Sequence, residues 1–156
     1  MEETTDPLFF IDTNILVYAY DSDEMEKHVV AKNLIKKCWD REILYAVSPQ
    51  VLSELFVTLT KKLKGKISLD ESEQIVKDIF AFTNFVKLPM DSKTILKAIE
   101  LHKMSKCHYY DSLIAATMQL NNVVHIYTEN IKDFSKITGI KVVNPFEKKK
   151  VSTKNQ

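Results

Sequence analysis

Acidic residues recur in this sequence at the edges of apolar runs and inside them. Asp12 follows the run Leu8-Phe9-Phe10-Ile11 and precedes a second apolar run at 15–20. Glu54 lies beside Val51, Leu55 and Phe56, and Asp111 opens the segment that carries Leu113, Ile114, Ala115, Ala116, Met118 and Leu120. Glu129 and Asp133 come directly after the apolar stretch 123–127. Each has an ordinary reading alone. Asp12 and Asp111 suit helix N-termini, and Glu54 suits the wet edge of an amphipathic helix. Several carboxylates meeting in one crevice, however, repel one another and resist ionising together unless a cation neutralises them. Oxygen donors without a histidine or thiolate cluster favour Mg²⁺ or Mn²⁺ over zinc. Such an ion lowers the pKa of bound water and stabilises charge growing on a phosphoryl group, so the chemistry suggested is phosphodiester hydrolysis.

The elements that must position these acids alternate along the chain. Residues 8–11 read as a buried strand and 15–20 as a short helix, with a turn at Asp21-Ser22-Asp23. Residues 26–39 have helical spacing. Val29, Val30, Leu34, Ile35 and Cys38 form its apolar face, while Lys27, Lys32, Lys36 and Lys37 point into solvent. A strand at 44–47 ends in Ser48-Pro49, a helix-start signal, and the helix that follows runs over 49–64 to a stop at Gly65. Further helices are predicted at 69–82 and from Asp91 or Ser92 to 106, with a strand at 85–88 between them. The helix that opens near Tyr109 has almost no polar face and belongs in the middle of the fold. Strands at 123–127 and 140–143 complete the pattern. Alternation of this kind predicts an α/β fold, a three-layer α/β/α sandwich around a central parallel sheet of four or five strands. Right-handed crossovers bring the strand C-terminal ends to one edge, which collects Asp12 and the acids at 129–133. Asp111 follows a helix, so this rule does not place it.

Length and composition narrow the reading. At 156 residues and 45% apolar content the chain suits one domain, 1–146, followed by a charged tail at 147–156 expected to be disordered. Twenty-two basic against 21 acidic residues leave a net charge of +1, so contact with phosphates requires a local patch. Lys61, Lys62, Lys64 and Lys66 offer one as contacts to a phosphate backbone, although lysines here also complement a helix dipole. Two glycines, Gly65 and Gly139, exclude the clustered-glycine loops that cradle nucleotide phosphates. Cys38 and Cys107 are far apart, as reduced thiols of a cytoplasmic protein would be, and Cys107-His108 lacks the second pair of a zinc site. The acidic N-terminus lacks a signal-peptide layout, and no apolar run suggests a membrane partner.

Four segments together resemble the PIN domain, and particularly the VapC-like toxin ribonucleases. They are Asp12-Thr13-Asn14 behind a strand, Ser53-Glu54-Leu55, Asp111-Ser112-Leu113-Ile114-Ala115-Ala116, and Thr128-Glu129-Asn130 followed by Asp133-Phe134. The resemblance spans roughly residues 8–145. It implies a Mg²⁺- or Mn²⁺-dependent endoribonuclease acting on single-stranded RNA, with Asp12, Glu54 and Asp111 as metal ligands. Thr13, Asn14, Thr128 and Asn130 would support the loops. An Asp often stands in that family where this chain has Asn130, so the fourth acid is Asp133 by preference, or Glu129, or its place is filled by an amide. The resemblance also implies a homodimer and a small cognate antitoxin. Two rivals stand beside it. One is a PIN-like module that binds RNA or protein without cutting. The other is a phosphatase with a strand-end Asp nucleophile, which usually carries a second Asp where Asn14 stands here.

Overall fold

The computed structural model describes residues 5–148. Five short strands, β1 (Phe9–Ile11), β2 (Tyr45–Val47), β3 (Phe85–Lys87), β4 (His125–Tyr127) and β5 (Lys141–Val143), form one sheet in the order β3-β2-β1-β4-β5. Every pairing is parallel, with Phe10 opposite Ala46 on one side and Ile126 on the other. Neighbouring residues of a strand face opposite sides of a sheet. Phe10 and Ile11 are both fully buried, as are Ala46 and Val47, so both faces of the central strands are covered. The predicted α/β/α sandwich is therefore the observed fold, with five strands.

The helices are α1 (Thr13–Tyr18), α2 (Met25–Trp39), α3 (Pro49–Lys62), α4 (Leu69–Ala81), α5 (Ser92–Ser105), α6 (Tyr109–Leu120) and α7 (Ile131–Phe134). α1 packs on α2 and α3, α3 on α4, and α5 on α6. Local chemistry accounts for several starts. The Ser48 hydroxyl accepts from the Val51 amide with Pro49 in the first turn, and Asp91 exchanges capping bonds with Thr94. From Ser112 to Met118 every residue of α6 is buried, as its lack of a polar face predicts. Among the described residues no helix is long and apolar enough to cross a membrane.

Three expectations are corrected. The inner face of α2 is Ala31, Ile35 and Cys38, whereas Val29 and Val30 are 56% and 37% exposed. Two valines side by side cannot both share a stripe with residues at helical spacing from Ala31. Second, α3 ends at Lys62 rather than 64, because the amides of Lys66 and Ile67 both turn back to the Leu63 carbonyl. Gly65, at φ +87°, serves that turn instead of capping the helix. Third, Val123 and Val124 precede β4 rather than belonging to it. The Val123 amide is drawn back to the Met118 carbonyl, and pairing with β1 begins at His125. The tail expected at 147–156 lies, from 149 onward, outside the described residues.

Candidate active site

Strand order turns around at β1, with β2 and β3 on one side and β4 and β5 on the other. The crevice beyond the carboxyl ends at such a point is where open α/β sheets bind ligands. Asp12 is the first residue past β1, and its amide donates to the Tyr127 carbonyl at the end of β4 at 3.1 Å. Its side chain caps α1, one oxygen accepting from the Thr13 amide at 2.7 Å. The other oxygen accepts from the Thr128 hydroxyl at 2.6 Å and, more loosely, from the Asn14 amide at 3.4 Å. Cap and site residue are thus one group, and Asp12 is only 6% exposed.

Glu54 reaches the same crevice from α3. Its carboxylate accepts from the Thr13 hydroxyl at 2.9 Å and from the Gln50 amide at 2.9 Å. Asp111 enters from the first turn of α6. The cap position there is His108, which makes no side-chain cap bond, so the capping alternative for Asp111 is not the one realised. The Asn130 amide instead bridges two acids, donating to Asp111 at 2.7 Å and to Asp133 at 3.2 Å. A cavity of about 640 Å³ joins the three acids, lined by Asp12, Glu54 and Asp111 together with Asn130, Lys62 and an apolar rim that includes Tyr18, Val57 and Tyr110.

Burial pushes the Asp12 carboxyl from 3.8 up to about 6, against the lowering effect of the Thr128 and Thr13 hydrogen bonds, and the Glu54 charge adds to the rise. Asp111 also rises to about 6, through burial first and then the negative charges of Asp12 and Asp133, with His108 opposing. Asp133 is held below its usual range, chiefly by the Asn130 hydrogen bond. Two coupled acids of raised pKa share one crevice, as expected of a site suited to a cation or a proton.

The remaining sequence candidates divide. Asp133 lies one amide away from Asp111 and does not line the cavity. Glu129 turns elsewhere, bonding the Tyr18 hydroxyl at 2.6 Å and forming an ion pair with Lys27. Burial alone would raise its pKa, but those two partners outweigh burial and hold it low. Lys27 is consequently not the merely solvated lysine expected of an outer helix face. Its ammonium also sits 5.0 Å from the Tyr18 ring centre. Of the four lysines expected at phosphates, only Lys62 lines the acid cavity, held 3.5 Å from Asp21 and from Glu24. Lys66 pairs with Asp23, and Lys61 and Lys64 line a separate depression beside Gly65. Gln50, Tyr18 and Tyr110 were not singled out from the sequence. For Gln50 a signal existed, its position four residues before Glu54 on a helix, where amide and carboxylate meet.

Lined by carboxylate, amide and hydroxyl oxygens, with no histidine or cysteine, the cavity fits a hard divalent cation. Among the described residues no three acid, histidine or cysteine side chains are drawn together tightly enough to form a finished ion cage. Neutral donors instead engage the acids, with Thr13, Gln50, Thr128 and Asn130 each donating to a carboxylate oxygen of the set.

The PIN domain family model matches residues 9–140. The chain belongs to the PIN domain family. Its fold is similar to that of a toxin–antitoxin complex from Klebsiella pneumoniae, at 24% identity over 89% of this chain and 98% of that one, with a TM-score of 0.62. VapBC2 from Rickettsia felis, solved with a DNA fragment from its promoter, matches at 22% identity over 88% and 98% of the two chains, TM-score 0.61. VapC20 of Mycobacterium tuberculosis, a sarcin-ricin loop cleaving toxin, matches at 15% identity over 81% and 93%, TM-score 0.63. No curated protein sequence matches the chain.

Proposed function

We propose that this protein is a Mg²⁺- or Mn²⁺-dependent endoribonuclease that hydrolyses single-stranded RNA, and that it is the toxin of a VapBC-type toxin–antitoxin pair. The observation that carries the reading is the convergence of Asp12, Glu54 and Asp111 on one cavity at the sheet's turning point. In this reading those three acids hold the cation, and Asp133 adds negative charge through Asn130. Once bound, the cation supplies an activated water and offsets charge on the phosphoryl oxygens. The protein's own groups do the rest. Asp111, half-buried in the first turn of α6, faces the cavity beside the other two acids, and these carboxylates would position the ion and accept the water's proton. Thr128 and the Thr13 amide hold both oxygens of Asp12 in place. Lys62 offers its charge to a neighbouring phosphate, and Tyr18, Val57 and Tyr110 form a wall against which a splayed base can rest.

The solved neighbours extend the proposal to partners. Several are VapBC or toxin–antitoxin complexes, which supports a cognate antitoxin as partner. In this reading the protein is cytoplasmic, the antitoxin closes its site, and it assembles as a homodimer. The alternative, a PIN module that holds RNA or protein without cutting, is favoured by the neutral donors already engaged with the carboxylates. Incubation of purified, antitoxin-free protein with end-labelled single-stranded RNA separates the two. Cleavage that needs Mg²⁺ or Mn²⁺, stops with EDTA and is absent from Asp111→Asn supports the nuclease. RNA retention without cleavage at any metal concentration supports the module.

A further inference from the structure

Gln50 is the second residue of α3, four positions before Glu54. Its Nε2 gives one proton to Glu54 Oε1 at 2.9 Å and the other to the Tyr110 carbonyl at 3.0 Å. Tyr110 immediately precedes Asp111 in α6. One amide therefore ties an acid of α3 to the backbone that carries the acid of α6, sixty residues away in sequence. Its orientation is dictated by these partners, because exchanging nitrogen and oxygen would set an acceptor against two acceptors.

The arrangement leaves Gln50 Oε1 enclosed, with no hydrogen-bond partner among the described residues. A buried acceptor without a donor destabilises a fold, and an apolar side chain of the same length would avoid that cost. Glu54 keeps the Thr13 hydroxyl whatever stands at position 50. The amide is thus a poor choice for packing and a good one for geometry.

We propose that Gln50 is a positioning residue that sets the spacing of the Glu54 and Asp111 carboxylates, and through it the affinity of the site for a divalent cation. This rests on the nuclease reading. Groups that orient metal ligands change metal affinity or activity by about tenfold or more when removed. The test compares wild type with Gln50→Met, which keeps the length and loses both donors, and with Gln50→Asn, which keeps the amide but is one methylene too short to span both partners. Mn²⁺ affinity is measured by calorimetry, thermal stability in EDTA, and cleavage of one RNA as kcat and KM. Both variants are expected to bind Mn²⁺ about tenfold more weakly, with kcat reduced and KM for RNA within about twofold, and Gln50→Met is expected to melt no lower than wild type. Wild-type Mn²⁺ affinity in either variant would overturn the proposal. So would a Gln50→Met protein that melts well below wild type or fails to fold, since the role would then be structural. A wild-type protein that neither binds Mn²⁺ nor cleaves would overturn the nuclease reading itself, a result distinct from variants that match a competent wild type.

Discussion

Asp12→Asn should stabilise the protein while it disables the site. Asp12 is 6% exposed, and the rise of its carboxyl from 3.8 to about 6 corresponds to a cost of about 3 kcal/mol for keeping it ionised at neutral pH. Asparagine keeps an acceptor for the Thr13 amide but presents NH₂ to the Thr128 hydroxyl, which must reorient, at a loss of about 1 kcal/mol. The net gain is about 2 kcal/mol, or about 4–8 °C in melting temperature for a chain of this size. The sign follows from linkage. The folded-state pKa lies above the unfolded one, so the cost is fully present above about pH 6 and disappears as pH falls through 6 toward 3.8. Urea unfolding in EDTA should therefore find Asp12→Asn more stable at about pH 7.5, with the difference falling to about a third near pH 5, where about half of the ionisation cost is gone while the lost hydrogen bond remains. RNA cleavage by the same variant should fall by more than about tenfold, since one ligand charge is gone. An Asp12→Asn protein less stable than wild type at neutral pH, or a difference that does not change with pH, would refute the reasoning.

The fourth acid is separable by two substitutions. Asp133→Asn should lower cleavage by about tenfold, because Asn130 links its carboxylate to Asp111, whereas Glu129→Gln should leave cleavage within about threefold, its partners being Tyr18 and Lys27. Parallel Mn²⁺ titrations check the assignment, and the reverse ranking would move the fourth ligand to Glu129. Lys62→Ala should raise KM for RNA and reduce the dependence of binding on salt by about one phosphate contact, read from affinities at several salt concentrations. Its pair with Glu24 is exposed and contributes less than about 1 kcal/mol, but the Asp21 carboxylate is only 4% exposed, so losing the lysine should also lower the unfolding free energy by more than an exposed pair would, read from urea unfolding. Leu55→Ala, at a fully buried position of α3, should cost about 2–5 kcal/mol in urea unfolding.

Much of this arrangement was legible because it depends on local signals. An apolar run broken by Asp12-Thr13-Asn14 reads as a strand handing over to a helix, and Ser48-Pro49 announces α3 by its capping chemistry. Alternation then required a parallel sheet, which brings Asp12 and Thr128 to the same edge. What stayed hidden depends on contacts between distant parts of the chain. Lys27 looks like any solvated lysine until Glu129, 102 residues away, is folded against it. The Gln50 amide meets a backbone carbonyl at Tyr110, and no side-chain pattern records a carbonyl. Asp111 could not be placed by the strand-end rule, since what brings it to the crevice is the packing of the buried α6 and the Asn130 bridge. Val29 and Val30 misled because an apolar pair on a helix can serve either face, and only the packing of Ala31, Ile35 and Cys38 decides which.

In the proposed nuclease, Asp12, Glu54 and Asp111 together hold a divalent cation. Crystals of the protein grown or soaked with Mn²⁺, at a concentration that supports RNA cleavage, give the most direct test through the anomalous signal of the metal. A peak is expected in the cavity at coordinating distance from carboxylate oxygens of Asp12 and Asp111, lost in Asp12→Asn. A Mn²⁺ peak bound elsewhere, or none in this cavity under conditions where RNA is cut, would contradict it.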